Sequence, residues 1–289
     1  MQVYDAIIIG AGPAGVTAAI YLRRANLTVA LFTKDYGALA KAERIENYFG
    51  MIEPVSGTQL LDCGRAQAKA LGAVFYEEEV FALDWQPEGF SVKLQSGESV
   101  TGKAALIATG MQRKTLKIPG LKEYEGRGVS YCAVCDAFFY RGKTVAVLGA
   151  GSYAAHELQE LTATAAGAYI LTNGEALSFT PPPGVKVLSG KLKAVLGGAK
   201  LSGVAFTDGS SVAIDGLFVA LGSAGAADLA QKLGAETQGS AVKVDEKHET
   251  NLPGLYAAGD CTGGFAQVHF AAAEGTAAAL AMIAYIRKT

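Results

Sequence analysis

Two cysteines three positions apart carry the most specific chemical signal in the sequence: Cys132-Ala133-Val134-Cys135, followed by Asp136. Thiols at this spacing at the start of a helix can close into a strained, readily reduced disulfide, and the helix terminus stabilises their thiolates. The carboxylate directly after the pair can hold or release the proton that such an exchange requires. No second CxxC and no close pair of histidines completes a four-ligand zinc site, so the pair indicates redox chemistry and no metal.

A glycine-rich turn near the N-terminus indicates a bound dinucleotide. Gly10-Ala11-Gly12-Pro13-Ala14-Gly15 follows an apolar run at residues 4–9 and precedes a helical pattern at 16–24. In such a turn the first glycine permits the tight bend, the second lets the backbone approach a pyrophosphate, and the third allows close helix–strand packing. Pro13 suits the first helical turn, where its missing N–H does no harm. A second apolar strand at 28–33 completes a βαβ unit.

The same pattern occurs a second time. A strand at 144–148 leads into Gly149-Ala150-Gly151, a helix at 152–165 and a strand at 168–171. Short alternating runs follow each unit, at 73–103 and at 185–213, and they predict two antiparallel meanders. We therefore expect an α/β protein with two homologous nucleotide-binding folds on one chain.

Composition excludes several classes of protein. Of the 289 residues, 50% are hydrophobic and 18% charged, which is incompatible with a disordered chain. The 25 basic residues nearly cancel the 27 acidic ones, so no overall charge favours a nucleic acid or an anionic membrane. Only four residues are cysteines, too few for a secreted disulfide scaffold. We expect the two isolated ones, Cys63 and Cys261, to be buried small apolar side chains.

The sequence indicates a soluble, cytoplasmic protein. Residues 1–10 lack the basic leader and the long apolar run of a signal peptide. The most membrane-like stretch, Val268 to Ile286, contains His269, Glu274 and Gly275. A carboxylate inside a membrane span is costly, so we interpret this stretch as a buried helix and expect no membrane contact.

Five motifs resemble the low-molecular-weight thioredoxin reductases, in order from residue 3 to about residue 285. The block Gly126-Arg127-Gly128-Val129-Ser130-Tyr131-Cys132-Ala133-Val134-Cys135-Asp136, continued by Phe138-Phe139-Tyr140-Arg141-Gly142, is highly specific. The other motifs are the glycine turn Gly10–Gly15, Ile45-Glu46-Asn47-Tyr48-Phe49-Gly50, Ile107-Ala108-Thr109-Gly110, and Gly254-Leu255-Tyr256-Ala257-Ala258-Gly259-Asp260.

The resemblance implies two Rossmann-like, three-layer ββα domains of the FAD- and NAD(P)-binding type, the second inserted into the first. The expected FAD domain comprises residues 1–113 and 242–289, and the CxxC-bearing domain residues 114–241. The resemblance also implies which residues bind FAD, with the last two beside the flavin, where the N-terminus of a helix stabilises its reduced form. These residues are Gly10, Gly12, Pro13, Ala14, Gly15, Thr33, Asn47, Val80, Ala108, Thr109, Gly110, Gly259, Asp260, Gln267 and Val268.

The resemblance further assigns the catalytic residues. It implies that Cys135 receives electrons from the flavin, that Cys132 attacks the disulfide of thioredoxin or a similar protein, and that Asp136 serves as proton donor and acceptor. A simple carboxylate at a helix start is the alternative for Asp136. The resemblance also implies a homodimer.

The second glycine turn departs from the family's NADPH site. The family holds the 2′-phosphate with arginines after the next strand, but here that position reads Leu171-Thr172-Asn173-Gly174-Glu175, and no arginine occurs between Arg141 and Arg287. Tyr153 also adds bulk where the dinucleotide should pass. Two explanations stay open: an NADH site with Glu175 on the ribose, or a domain that binds no nicotinamide.

The second explanation is favoured by a resemblance to the ferredoxin-dependent flavin thioredoxin reductases, carried by Ala154-Ala155-His156-Glu157 and Leu171–Gly174. Basic residues around the CxxC would then form either a docking face for an acidic ferredoxin or an ordinary solvated surface. They are Lys114, Lys117, Lys122, Arg127, Arg141 and Lys143. An NAD(P)H-dependent thioredoxin reductase, a dithiol oxidase that uses oxygen, and a flavin-binding protein without turnover are the alternatives to a ferredoxin-dependent reductase.

Overall fold

The chain folds into two compact units, here called unit 1 (Met1–Gln112 and Gly225–Thr289) and unit 2 (Arg113–Ala224). The computed structural model describes residues 2–110, 116–131, 133–221 and 225–289, without the side chains of Val134 and Cys135. Within these residues it contains seventeen strands and six α-helices.

A seven-stranded sheet forms the centre of unit 1, in the order β3-β2-β1-β6-β5-β4, with β17 paired to β6. The strands of its parallel part are β1 (Gln2–Ile9), β2 (Val29–Phe32), β3 (Val74–Tyr76), β6 (Ser99–Ile107) and β17 (Leu255–Ala257). The antiparallel part adds β4 (Val80–Gln86) and β5 (Gly89–Leu94).

Strand β6 belongs to both parts of this sheet. Its first half pairs antiparallel with β5, whereas its second half, Ala105 to Ile107, pairs parallel with β17. Along nearly its whole length it also pairs parallel with β1. The carboxyl ends of β1, β6 and β17 therefore lie side by side at one edge of the sheet.

Three helices complete the main layer of unit 1: α1 (Pro13–Arg24), α2 (Gly57–Ala70) and α6 (Val268–Ile286). Helix α2 begins directly after Ser56 because Ser56 and Gln59 form a reciprocal capping box. Helices α1 and α6 pack closely, since a Cβ built on Gly275 would lie 2.2 Å from the carbonyl oxygen of Ala14. The apolar core of unit 1 lies between these helices and the sheet.

In the part of the chain that the structure describes, α6 is the one helix long and apolar enough to cross a membrane. The sequence predicted a buried helix here, whereas only a third of its most apolar window is buried in the structure. The buried residues form one stripe of small and apolar side chains: Ala271, Gly275, Ala278, Ala279, Met282 and Ile286.

Unit 1 also contains helix α5 (Ala226–Lys232) and a two-stranded hairpin of β15 (Thr237–Gln238) and β16 (Ala241–Val242). The expected domain boundary lay after residue 241, whereas the structure groups the chain from Gly225 onward with unit 1. The physical reason is that α5 contacts β4 and β16 contacts the 3₁₀ turn at 260–262, both in unit 1.

Unit 2 repeats this architecture around a parallel five-stranded sheet, in the order β10-β9-β8-β14-β7. Its strands are β7 (Val129–Ser130), β8 (Thr144–Leu148), β9 (Gly167–Leu171), β10 (Lys186–Leu188) and β14 (Gly216–Val219). A three-stranded antiparallel sheet consists of β11 (Leu192–Gly197), β12 (Leu201–Phe206) and β13 (Ser211–Ala213). The helices are α3 (Ala133–Asp136) and α4 (Ser152–Thr162).

The two-fold repeat of a βαβ unit and a meander agrees with the sequence prediction, with one correction in each repeat. Strands β3 and β10, expected inside the meanders, pair parallel with β2 and β9 instead. Each meander is therefore shorter than predicted, comprising β4–β6 in unit 1 and β11–β13 in unit 2.

Candidate functional site

The first glycine turn lies where β1 ends against β6. Gly10 has φ +113°, and a Cβ there would lie 2.2 Å from the carbonyl oxygen of Ala108. A Cβ on Gly15 would lie 1.9 Å from the carbonyl oxygen of Gly10, so this glycine permits the close packing of α1 on β1. A Cβ on Gly12, in contrast, meets nothing within 4 Å. The backbone of Gly12, at the N-terminus of α1, therefore borders open space beside Pro13 and Ala14.

The end of β6 forms the opposite wall. Within the sheet, β2 lies on the outer side of β1, and β5 and β17 lie on the outer side of β6. The strand order thus extends in opposite directions from the β1–β6 pair, and a crevice opens at the carboxyl ends of these two strands. Thr109 occupies this crevice, and its buried Oγ1 has no hydrogen-bond partner among the described atoms. Gly110 follows with φ +68°. A buried hydroxyl without a partner is costly, which indicates that a bound polar group completes its bonding.

Gly259 and Asp260 approach the same crevice from the end of β17. The Gly259 N–H donates to Oε2 of Glu274 at 2.7 Å, and the Thr262 hydroxyl donates to the same oxygen at 3.2 Å. A Cβ on Gly259 would lie 3.1 Å from the Cβ of Ala14, so the turn packs directly on α1. Burial, and then the nearby carboxylate of Glu274, raise the pKa of Asp260.

The start of α6 is joined to the segment at 45–50. The Asn47 side chain donates to Oε1 of Gln267, the residue before Val268, at 3.5 Å. The Phe49 N–H donates to Nε2 of His269 at 2.8 Å, and the His269 ring stacks on Tyr48 with centroids 4.5 Å apart. Two sequence-predicted positions more than two hundred residues apart are thus held together.

Thr33 directly follows β2, and Val80 begins β4. Thr33 donates its hydroxyl to the carbonyl oxygen of Asp35 at 2.7 Å. Lys34 Nζ lies 3.7 Å from Oε1 of Glu79, which connects the end of β2 to the start of β4 at Val80. Arg65 of α2 donates to the carbonyl oxygens of Ala11 at 3.2 Å and Asp35 at 3.0 Å, so it connects the glycine turn to this loop.

These features fit a dinucleotide cofactor of the FAD type. An open glycine backbone at a helix N-terminus suits a pyrophosphate. The Thr109 hydroxyl, which has no partner among the described atoms, can bond a polar group of the ligand. The half-buried carboxylate of Asp260 can accept bonds from ribityl or ribose hydroxyls. When bound, FAD would be held by the glycine turn, residues 108–110, Gly259–Asp260 and the start of α6.

The CxxC segment lies in unit 2 between β7 and a 3₁₀ turn, Ala137–Tyr140. Cys132 and the side chain of Cys135 lie outside the described residues, so their predicted pairing stays a prediction. Asp136 ends α3, which is a single turn and not the longer helix that a dipole argument requires. Burial, followed by Asp136 and Asp215, raises the pKa of Tyr140, whose ring packs edge-on against Phe218.

The second glycine turn differs from the first in what covers it. Tyr153 in the first turn of α4 is 1% exposed, and its hydroxyl donates to the carbonyl oxygen of Tyr131 at 3.2 Å. Ser178 donates its N–H and its hydroxyl to the carbonyl oxygen of Ala150, at 2.9 and 3.1 Å. The chain after β9 thus folds back onto the turn. Glu175 is exposed on this segment.

The two isolated cysteines have opposite environments. Cys261 is fully buried, as predicted, and burial raises the pKa of its thiol to about 12. Cys63 is exposed, so the expectation that it is buried was wrong. It lines a cleft of about 240 Å³ between α1, α2 and the start of α6. Among the described side chains, no group of three His, Cys, Asp or Glu is arranged to hold a metal ion.

Sequence reasoning missed three residues that fix the backbone of the functional motifs. Arg65, Glu274 and Glu157 each bind backbone groups of a motif: the glycine turn, the Gly259 turn and, for Glu157, the N–H of Ala133 at 2.6 Å. A charged residue within an otherwise apolar helical pattern was the available signal. It was noted for Glu274 only as an argument against a membrane span.

Comparison with known proteins gives a consistent result. A family model described as pyridine nucleotide-disulphide oxidoreductase matches residues 4–275. A thioredoxin reductase from Aquifex aeolicus is 36% identical over 97% of this chain and 93% of its own length. The crystal structure of the atypical thioredoxin reductase TRi from Desulfovibrio vulgaris Hildenborough shares 39% identity, covering 100% of this chain and 99% of that one, with a TM-score of 0.93. A ferredoxin-flavin thioredoxin reductase from Clostridium acetobutylicum shares 29% identity over the full length of both chains, with a TM-score of 0.75.

Proposed function

Because this chain belongs to the thioredoxin reductases of the pyridine nucleotide-disulphide oxidoreductase family, and is therefore an FAD-dependent disulfide oxidoreductase, we propose that it reduces thioredoxin with electrons from ferredoxin and not from NADPH. The family assignment fixes the cofactor and the reaction class. The electron donor is the new element of this proposal.

The state of the second glycine turn carries the proposal. A nicotinamide dinucleotide needs an open backbone at this turn and, for NADPH, cations that bind its 2′-phosphate. Here the turn is followed by the buried ring of Tyr153 and covered by Ser178. The segment after β9 offers the carboxylate of Glu175, which would repel a 2′-phosphate. These contacts support a unit 2 that serves the CxxC without binding a nicotinamide.

A ferredoxin has enough reducing power for this reaction. Ferredoxins of the plant type have potentials of about −400 mV and thioredoxin about −270 mV. The difference of roughly 130 mV corresponds to ~6 kcal/mol for two electrons. Ferredoxin delivers single electrons, whereas a disulfide needs two. FAD can supply the pair, because it can take up electrons one at a time and deliver them together. The similar ferredoxin-flavin thioredoxin reductase from Clostridium acetobutylicum supports the same donor.

The cysteines and Asp136 then carry out the disulfide exchange. Two electrons and two protons convert the Cys132–Cys135 disulfide into a dithiol. The Cys132 thiolate attacks the thioredoxin disulfide and forms a mixed disulfide, which Cys135 resolves as the reduced thioredoxin leaves. In this proposal Asp136, which is partly exposed at the end of α3, holds the proton that the exchange moves.

The surface beside the CxxC supports a protein substrate. Phe138 and Phe139 are 71% and 68% exposed, which is unusual for large apolar rings unless they bind a partner. The guanidinium of Arg141 lies 5.5 Å from the ring centroid of Phe138. Five of the basic residues noted in the sequence are exposed and could meet an acidic donor: Lys117, Lys122, Arg127, Arg141 and Lys143. Lys114 lies outside the described residues.

Anaerobic reduction of the bound flavin tests the donor. The purified protein is mixed in turn with reduced ferredoxin, NADPH and NADH, and flavin bleaching is followed by absorbance. Ferredoxin should bleach the flavin and support thioredoxin reduction, with neither nicotinamide acting at micromolar concentration. Rapid bleaching by NADPH or NADH would establish a nicotinamide-dependent reductase instead. Peroxide formation with a small dithiol, without turnover of thioredoxin, would establish a dithiol oxidase.

A further inference from the structure

Helix α4 binds the backbone on both sides of Cys132. The Tyr153 hydroxyl donates to the carbonyl oxygen of Tyr131 at 3.2 Å, and Oε2 of Glu157 accepts from the N–H of Ala133 at 2.6 Å. Tyr153 and Glu157 lie one helical turn apart and so share one face of α4. The residues before and after Cys132 are therefore held by the same face of one helix.

Both side chains are deeply buried. Tyr153 and Glu157 are each 1% exposed. Removing a carboxylate from water is costly, so such a group is retained where it makes strong hydrogen bonds. A bond from a backbone N–H to a carboxylate is of this strong kind. The Glu157 bond therefore fixes the start of α3 firmly, next to the residue that attacks the substrate.

From these contacts we propose that Glu157, together with Tyr153, is a positioning residue that holds the CxxC segment and keeps its thiols weakly acidic and strongly reducing. A negative charge next to the CxxC disfavours a thiolate. It also occupies the Ala133 N–H, which then cannot stabilise a thiolate. Because the thiolate form stabilises a dithiol relative to its disulfide, disfavouring it lowers the redox potential. The proposal rests on the CxxC acting in the proposed disulfide reduction.

Other titratable groups surround α3 and are unchanged in Glu157→Gln. Asp136 lies on α3 itself, and Tyr140 lies on the 3₁₀ turn that packs against it. Helix α4, which also packs against α3, carries His156 and Glu160 besides Tyr153 and Glu157. A comparison between Glu157→Gln and the parent protein therefore isolates the charge of Glu157.

The first test measures thiol acidity. A Cys63→Ser background removes the exposed cysteine, and the thiol of Cys261 is fully buried in the folded protein. The reduced protein is alkylated with iodoacetamide across a pH series, and the CxxC peptide is quantified by mass spectrometry. Glu157→Gln should lower the midpoint of alkylation by about one pH unit. Glu160→Gln, the same change elsewhere on α4, should leave it unchanged. No shift with Glu157→Gln, or an equal shift with Glu160→Gln, overturns the proposal.

The second test measures the redox equilibrium of the CxxC in dithiothreitol buffers. At a pH well above both alkylation midpoints, Glu157→Gln should shift the dithiol–disulfide equilibrium about tenfold toward the dithiol, equivalent to about 30 mV. Tyr153→Phe keeps the ring and the charge of Glu157, so it should slow thioredoxin reduction while leaving the alkylation midpoint unchanged. An unchanged equilibrium in Glu157→Gln, or an unchanged rate in Tyr153→Phe, contradicts the proposal.

The parent protein provides a test that needs no folded Glu157 variant. Its more reactive CxxC thiol should titrate with a midpoint above about 8, near the ordinary cysteine value of about 8.5. A lower midpoint overturns the proposal. The alkylation and equilibrium measurements use neither ferredoxin, nicotinamide nor thioredoxin. Their outcome is therefore independent of whether the proposed electron donor is correct.

Discussion

The carboxylate of Glu274 accepts a hydrogen bond from the backbone N–H of Gly259 at 2.7 Å, which fixes the turn that presents Asp260 to the FAD crevice. Glu274→Ala leaves this N–H without its acceptor, at a cost of about 1–3 kcal/mol, whereas the Thr262 hydroxyl keeps the carbonyl oxygen of Gly259 as an acceptor at 3.0 Å. We expect FAD affinity to fall about tenfold or more, measured by fluorescence titration of the apoprotein. Glu53→Ala, on an exposed loop, is the control. Unchanged FAD affinity in Glu274→Ala would show that the turn does not need this bond.

The pKa of Asp260 predicts a pH effect on the apoprotein. Burial and Glu274 raise this pKa above the ordinary value of 3.8, so the folded state holds the proton more tightly than the unfolded chain. Stability contributed by the protonated group is present below 3.8 and is lost as the pH rises through the raised pKa. Asp260→Asn lacks this loss. Its melting temperature relative to the parent apoprotein should therefore be higher at pH 7 than at pH 4.

Asp84→Asn, at an exposed position of β4, is the matched control for Asp260. Its melting temperature relative to the parent should change little over the same pH range. A difference between Asp260→Asn and the parent that does not depend on pH would contradict the assigned direction of the pKa.

Gly12 and Gly15 should separate cofactor binding from folding. A Cβ at Gly12 meets open space, so Gly12→Ala should change the free energy of unfolding of the apoprotein by less than about 1 kcal/mol. It should nevertheless weaken FAD binding, because the added methyl group projects where the pyrophosphate approaches. A Cβ at Gly15 collides with the carbonyl of Gly10, so Gly15→Ala should cost about 1–3 kcal/mol of stability. Urea unfolding and FAD titration of both variants measure the contrast, and equal losses of stability would contradict it.

The two isolated cysteines should differ in reactivity. Cys63 is exposed, whereas Cys261 is fully buried and its pKa is raised to about 12. With the CxxC oxidised, iodoacetamide at pH 8 should modify Cys63 and leave Cys261 untouched until denaturant is added. Peptide mapping by mass spectrometry provides the measurement. Rapid modification of Cys261 in the native protein would mean that the end of β17 opens readily.

The exposed phenylalanines beside the CxxC should contribute to thioredoxin binding. Replacing both Phe138 and Phe139 with Ala should weaken the free energy of thioredoxin binding by about 1.4 kcal/mol or more. This loss should raise the KM for thioredoxin about tenfold or more. The rate at which the electron donor reduces the flavin should stay the same. Val187→Ala, another exposed apolar position in unit 2, serves as the control. An unchanged KM in the double variant would place thioredoxin on another surface.

The sequence predicted the two βαβ units well because their signals are local. An apolar strand, a glycine turn and a helix follow one another directly at Gly10–Gly15, and again at Gly149–Gly151. The pairing direction of β3 and β10 could not be predicted, since the sequence of a three-residue strand does not indicate which strand it pairs with. The contacts of Glu274, Arg65 and Glu157 join positions distant in the chain. Their partners are backbone groups, which any residue type would offer.

The site residues show the same division. The positions around the FAD crevice follow from motifs, whereas the reason Gly259 and Asn47 are held in place depends on α6, far along the chain. Cys63 was misassigned because a small side chain on an amphipathic helix fits the buried or the exposed side equally well. Only the packing of α2 against α1 determines which side it takes.

The position of Tyr153 has an evolutionary consequence. Its ring lies in the first turn of α4, directly after the second glycine turn, while its hydroxyl donates to the carbonyl oxygen of Tyr131, the residue before Cys132. A mutation that cleared the turn for a pyridine nucleotide would at once loosen the cysteine segment, and Ser178 and Glu175 would still have to change. Under the proposed function, a lineage with this helix has no single-step route back to nicotinamide use.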